Sequence, residues 1–393
     1  MNVTKVCQEY CIGCGLCRSE MDVAMQAGEK GFLQPAFGQN EMTESFLTRV
    51  CPINDAAFEK ETAYAVWGER KGAYAAYAKD EALRRKASSG GVLTGLAIYL
   101  LENKLVDGII HIVAEEDCPT ETRCRVSRTR EELIEGCGSR YAVSSPWCSL
   151  SKMAEPDKNY AAIGKPCDIK ALRRLKQTEG RYNNILYLLS FFCAGMPSRQ
   201  ANEQLLLELD CARSACRSLS YRGNGWPGYA TAVDTAGNEH VMEYSKAWGG
   251  ILGRDVHPYC RMCFDGIGEA ADIACGDGWY IAENRTPDFT ERDGRNIVFV
   301  RTQAGDALYK GAVEAGSIVS TEWENLGQLE IIQKYQFTRR TTMQERLRAY
   351  KLFGRTVPRY DKKKMAAFAK KGNKKERVRI FLGTVKRILL KKI

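Results

Sequence analysis

Cysteine placement constrains this chain more than any other feature. Cys260 and Cys263 stand two residues apart in CRMCFDGIGEAADIACGD, the stretch from Cys260 to Asp277. Two thiolates at that spacing can grip one metal centre from a single turn of backbone. They cannot complete it, because a tetrahedral thiolate site or a cubane cluster needs about four ligands. Further thiolates must come from elsewhere, so the fold has to bring distant segments together.

A separate group lies near the N-terminus, with Cys11, Cys14 and Cys17 in CIGCGLC and a remote Cys51 before Pro52. The spacing, with Gly13 and Gly15 between the thiols, lets backbone wrap a cubane and donate N–H bonds to its sulfurs. A bacterial ferredoxin would continue to a ligand for a second cluster, but those positions here are Met21 and Asp22. One 4Fe–4S cluster held by Cys11, Cys14, Cys17 and Cys51 is the expectation. A zinc knuckle or free thiols is the alternative, although zinc sites usually pair their cysteines two by two. Cys7 has no assigned role.

Sixteen Cys without a secretory leader pattern read as metal ligands and free thiols of a cytoplasmic protein, not as a disulfide framework. With only three His (His111, His240 and His257), a His-rich metal site or His-centred catalysis is disfavoured. His111 reads as a core or edge residue, and His257, beside Pro258, as a solvated loop residue. The net charge of +10 is concentrated at one end: residues 359–393 hold 14 of the 58 Lys and Arg and 2 of the 48 Asp and Glu. The body before them is near neutral, so no nucleic-acid-binding body is expected. The last segment places Val378, Phe381, Leu382, Val385, Ile388 and Leu389 at helical spacing among lysines and arginines. Such a helix suits the anionic inner face of a membrane, an acidic partner, or its own body.

Between these ends, apolar strand-like runs alternate with helical spacing. Ser88-Ser89-Gly90-Gly91 separates a strand from the helical run Val92 to Leu101. Such a loop suits a phosphate or a flavin edge, and is equally an ordinary helix cap. Ser139, Arg140 and Tyr141 form a second candidate cofactor-binding group, and Asp277 another. Cys167 and Cys193 fall just past the C-terminal ends of two predicted parallel strands, the edge where ligands collect in open α/β sheets. They are candidates to join Cys260 and Cys263 in a second cluster. The alternative is that Cys260 and Cys263 bind zinc or nothing while the other two are buried thiols. Cys118, Cys124, Cys137 and Cys148 show no ligand spacing.

As an ordered set, CIGCGLC…CP, ASSGG, GSRY, GKPCDIKAL, CAGMPS, GWPG and CRMC…ADIACGD resemble the coenzyme F420 hydrogenase/dehydrogenase beta-subunit family. The resemblance implies FAD around the SSGG loop and cluster ligands at Cys167, Cys193, Cys260 and Cys263. Two departures stand out: this chain has Gly164-Lys-Pro-Cys-Asp168 where Gly-Thr-Pro-Cys-Gln is common, and Cys193-Ala-Gly195 where Cys-His-Gly is common. The ASSGG and GDGW stretches look more like the bacterial and chlorophyll-reductase-like branch, some of whose members are associated with surface-polysaccharide synthesis.

The fold expected is α+β: a ferredoxin-like 4Fe–4S segment over 1–60, a mixed α/β domain for FAD and iron–sulfur over 61–330, and a basic helical tail over 331–393. The function expected is an oxidoreductase passing single electrons from a ferredoxin-like donor through two 4Fe–4S clusters to FAD, and then to an organic substrate. The alternative is an electron-transfer subunit that uses coenzyme F420 or a partner protein and has no organic substrate pocket of its own. No catalytic side chain is assigned.

Overall fold

The computed structural model describes residues 3–37, 41–54 and 64–390. Among these residues the largest sheet has eight strands. Their order is Ile318–Glu322, Gly72–Ala78, Asn296–Val300, Ile273–Asp277, Ile185–Phe191, Tyr160–Gly164, Gly108–Ala114 and Thr122–Ser127. The four from Ile273–Asp277 to Gly108–Ala114 run parallel, and the strands at both edges are antiparallel. The architecture is therefore mixed α/β. Runs such as NIVFV are buried throughout, as strands covered on both faces require.

Strand alternation sends neighbours to opposite cores. Leu189 packs with Leu96, Leu100, Val298 and Leu308 under helices Val92–Glu102 and Gln303–Glu314. Leu188 packs on the other side with Ile169 and Leu172 of helix Pro166–Glu179. Each such leucine contributes about 1.5–3 kcal/mol by leaving water. A three-stranded antiparallel sheet (Glu239–Glu243, Tyr229–Asp234, Cys216–Ser220) closes its own core with helix Arg199–Glu208 through Leu205, Leu219, Tyr221 and Ala232.

Lys165 caps a helix that opens at Pro166, because proline is tolerated in a helix's first turn, where its missing N–H costs nothing. One residue differs from the sequence reading. His257 is buried, with its ring edge-on to Phe32 at 4.6 Å and its Nδ1 accepting from Tyr259 N at 3.1 Å, which caps helix Pro258–Met262. The C-terminal helices Lys334–Thr341, Met343–Leu352 and Lys362–Lys371 are integral to the body. Met343, Leu347, Tyr350 and Phe368 share a core with Val6, Leu16 and Leu47 of the N-terminal segment. Tyr360 Oη donates to Met262 O at 2.6 Å.

Helix Lys374–Leu389 lies along Met343–Leu352 and divides its apolar positions: Ile388 is buried, whereas Val378, Leu382 and Leu389 are exposed. Among the described residues no helix is long and apolar enough to cross a membrane.

Candidate functional site

The N-terminal thiols converge around a loop with two left-handed residues. Gly13 (φ +72°) and Gly15 (φ +89°) turn the backbone so that helix Leu16–Met21 starts directly after Gly15. A side chain at Gly15 would meet Cys148 N at 2.5 Å, so only glycine passes there. Gly13 N donates to Cys11 Sγ at 3.4 Å. Cys11 and Cys17 each lie within electrostatic reach of Cys51, and Cys14 within reach of Cys11 and Cys17. Burial pushes Cys11 up to about 12 and drives Cys14 and Cys17 above the ordinary thiol range. Cys7, unassigned from sequence, is buried on helix Val3–Glu9 and hydrogen-bonded to Cys51, whose thiol that contact lowers.

Cys167, Cys193, Cys260 and Cys263 also meet. They line one small cavity of about 20 Å³ with Ile12, Lys165, Asp265 and Arg339. Cys167 sits in the first turn of helix Pro166–Glu179, and Cys193 two residues beyond strand Ile185–Phe191. Cys260 lies in helix Pro258–Met262, with Cys263 as that helix's cap. Met196 N donates to Cys260 Sγ at 3.4 Å. Burial pushes Cys260 up to about 12 and Cys263 to about 11, and raises Cys167 and Cys193 as well.

The cations beside these thiols were missed in the sequence. Arg339, 1% exposed, donates Nη2 to Cys193 O at 3.0 Å. It comes from a helix 146 residues further along, and no local motif marks it. Lys165 donates Nζ to Ser144 Oγ at 2.6 Å and pairs with Asp168 at 2.8 Å. Burial works against its ammonium, but Asp168 and the thiols of Cys167 and Cys193 hold it charged, above the ordinary lysine range.

Both sulfur sets fit an iron–sulfur cluster. Every donor is a soft thiol, and such buried thiols lose their proton when a metal binds. Each set has a backbone N–H directed at a sulfur, and the second has two cations to oppose thiolate charge. A single zinc ion fits less well, since it needs its sulfurs at about 2.3 Å from one point. Among the described residues no three Cys, His, Asp or Glu side chains are gathered tightly enough for one ion.

A much larger cavity, about 850 Å³, opens over the C-terminal ends of the parallel strands. Its lining includes Ser88, Ser89, Gly91, Ser139, Arg140, Tyr141 and Asp277. Gly90 lies behind that lining, where a Cβ would meet Ala76 O and Asn296 N at 2.8 Å. Several of the polar groups hold the wall together. Ser88 Oγ accepts from Ser139 N at 2.7 Å and donates to Arg222 O at 3.2 Å, and Ser89 Oγ donates to Arg295 O at 3.0 Å. Arg140 donates Nη1 to Leu219 O at 2.8 Å and Nη2 to Pro119 O. Asp277 accepts from Arg222 Nη1 at 2.9 Å and Trp226 Nε1 at 3.1 Å. Flat apolar surface comes from Tyr141, Tyr244, Trp248 and Trp279. Lys165, Cys193, Gly195 and Met196 line both the large and the small cavity, so a single layer of residues separates them.

A chain of an F420-reducing [NiFe] hydrogenase complex from Methanosarcina barkeri has the fold class defined here: it superposes with a TM-score of 0.58 at 21% identity, covering 76% of this chain and 98% of the other. The models for coenzyme F420 hydrogenase/dehydrogenase, beta subunit, match residues 73–152 (N-terminal part) and 157–325 (C-terminal part), and the chain belongs to that family. Among similar proteins, a coenzyme F420 hydrogenase subunit beta of Methanococcus voltae is 25% identical over 309 residues, covering 74% of this chain and 99% of the other. An F420-dependent formate dehydrogenase subunit beta of Methanocaldococcus jannaschii is 31% identical over 272 residues, covering 66% of each chain. A chloroplastic 7-hydroxymethyl chlorophyll a reductase of Oryza sativa subsp. japonica is 21% identical, covering 59% of this chain and 48% of the other.

Proposed function

We propose that this chain is an electron-transfer subunit of an oxidoreductase, exchanging electrons between a partner protein and a flat-ring organic carrier in the large cavity. One observation carries the reading: the wall of Lys165, Cys193, Gly195 and Met196 is common to the thiol-lined cavity and the large one. The names of the hydrogenase and formate dehydrogenase beta subunits support this reading over reduction of an organic substrate by a self-sufficient enzyme. Polysaccharide synthesis finds no support in these relatives and is not carried forward.

Iron–sulfur clusters supply single-electron steps, and a flavin converts them to two-electron chemistry. Cys11, Cys14, Cys17 and Cys51 would hold one cluster and Cys167, Cys193, Cys260 and Cys263 the other. The large cavity would hold FAD, with coenzyme F420 or a related ring as the two-electron partner. The protein's own contribution is positional. Ile12 carries the N-terminal loop to the second thiol set, Lys165 and Arg339 offset thiolate charge, and the aromatic wall excludes water from the carrier.

Anaerobic purification with iron, zinc and flavin counts tests the cofactors. Reduction of coenzyme F420 by the chain, with and without a ferredoxin-like donor, tests the function. Iron and flavin at full count with transfer only in the presence of a protein partner supports the subunit reading. A colourless protein with zinc and no flavin overturns it.

The exposed Val378, Leu382 and Leu389, flanked by Arg379 and Lys386, favour a peripheral contact with an anionic membrane surface as a further part of this reading.

A further inference from the structure

Where the last helices meet, positive charge gathers around one buried hydroxyl. Tyr350, on helix Met343–Leu352, is 2% exposed, yet its Oη has no hydrogen-bond partner among the described residues. Its ring shares a core with Leu347 and with Ile388 of helix Lys374–Leu389. Four guanidiniums bear on the hydroxyl, those of Arg261, Arg355, Arg346 and Arg387. Arg346 stands one turn before Tyr350 on the same helix, and Arg387 adjoins the buried Ile388. Arg355 has its Cζ 5.8 Å from the Tyr350 ring centroid, and its backbone N donates to Tyr350 O at 3.2 Å. Arg261 comes from helix Pro258–Met262, which packs on Met343–Leu352.

No counter-charge answers these cations. Among the described residues none of them is in an ion pair, and the neighbouring Glu345 is already held by Arg377 at 2.5 Å, with Arg348 at 3.9 Å. Arg261 directs Nη2 to Arg254 O at 2.7 Å, and Arg387 directs Nη2 to Thr384 Oγ1 at 3.2 Å. The Nε atoms of Arg346 and Arg387 are buried without a partner. Burial lowers both guanidiniums, and the arginines around them add to it. A buried donor left unpaired is costly, the more so on a charged group.

We propose that Arg261, Arg346, Arg355, Arg387 and Tyr350 bind a phosphate monoester, either a soluble one or the headgroup of a membrane lipid. A guanidinium presents its N–H groups in a planar fork that matches two phosphate oxygens, and a phenol O–H donates to a third. A carboxylate has two oxygens and a single charge, too little for the cations gathered here. A phosphate monoester has three oxygens and a charge of about −1.5 to −2 at neutral pH. Arg387 belongs to the helix that exposes Val378, Leu382 and Leu389, so a lipid phosphate at that face would come to the same arginines. The lipid source rests on the membrane contact proposed above, and the soluble source does not.

The test titrates the full chain with inorganic phosphate and with glycerol phosphate, against acetate at equal ionic strength, following binding heat and thermal midpoint. Saturable binding is expected, with a midpoint that climbs as phosphate is added. Replacing both Arg346→Gln and Arg387→Gln is expected to weaken it about tenfold or more. Tyr350→Phe keeps the ring in the core and removes only the hydroxyl, so weaker binding by a folded protein is expected. Phosphatidylcholine vesicles carrying phosphatidic acid, a monoester, or phosphatidylglycerol, a diester, at matched surface charge separate the two sources. Preference for phosphatidic acid that the double variant loses assigns the lipid headgroup. Free phosphate bound without that preference assigns the soluble source, and stands even if no vesicle is bound. Phosphate held no better than acetate, with no preference between the lipids, overturns the proposal. So does binding that survives both arginine substitutions.

Discussion

Lys165 Nζ lies 2.8 Å from Asp168 Oδ2, within one turn of backbone and on the wall between the two cavities. Both side chains are almost wholly enclosed, and Asp168 Oδ1 has no hydrogen-bond partner. Removing one member of a buried pair strands the other, at about 3–5 kcal/mol. Lys165→Met is therefore expected to lower the unfolding free energy by that amount, read as a lower denaturant midpoint. Adding Asp168→Asn to it is expected to recover part of the loss, since the two substitutions act on one interaction. Equal and additive losses would contradict the coupling.

Cys14→Ser is expected to remove roughly half the iron, the share of one of two equal clusters, and to leave flavin bound. Cys263→Ser removes the other half. Cys7→Ser keeps the full count, because Cys7 lies against Cys51 and outside the four proposed ligands. Iron and flavin assays on anaerobic preparations decide this, and full iron in both of the first two variants refutes the ligand assignment.

His111 is buried, with Nε2 2.7 Å from Ser127 Oγ, and burial holds its ring down to about 4 from an ordinary 6.5. Above pH 6.5 neither state binds the proton and its contribution is constant. As pH falls from 6.5 towards 4 the unfolded chain takes up a proton that the folded chain refuses. Stability drops across that window by about 3 kcal/mol in full. Urea midpoints at pH 7 and pH 5 should separate accordingly, and His111→Gln should flatten the difference.

Glu269 ties the C-terminal helices to the body, accepting from Arg340 and from Lys364 at 3.1 Å. Arg340 has no exposed side-chain surface, so Glu269→Ala leaves it uncompensated and is expected to cost about 3–5 kcal/mol. Ending the chain after Arg359 also removes the buried Tyr360 and Phe368, and is expected to yield insoluble protein. Ending it after Gly372 removes only the final helix, whose buried residues are Thr384 and Ile388. That shorter chain should fold, yet lose co-sedimentation with anionic vesicles. Unchanged co-sedimentation would count against the membrane contact.

The elements around the site were legible wherever burial leaves a continuous apolar trace. YAAIG and ILYLLSF read as buried parallel strands, and the thiols just beyond them fall at the edge expected. What a sequence does not carry is direction. Arg140 and Asp277 sit where a cofactor-binding residue would, but their polar ends are taken by backbone carbonyls, by Arg222 and by Trp226. Long-range partners were equally hidden. Nothing near Arg339 hints that Cys193 is its neighbour, and the lysine-rich composition after 359 concealed the aromatic contacts that bind those helices to the core.

Ile12, in the middle of the N-terminal sulfur loop, also lines the chamber of the second set. The opening segment is therefore no interchangeable cartridge. Exchanging it for a homologous ferredoxin module would preserve its own four thiols while deforming the floor of the next chamber, so grafts at this junction must carry residue 12 and its facing wall together.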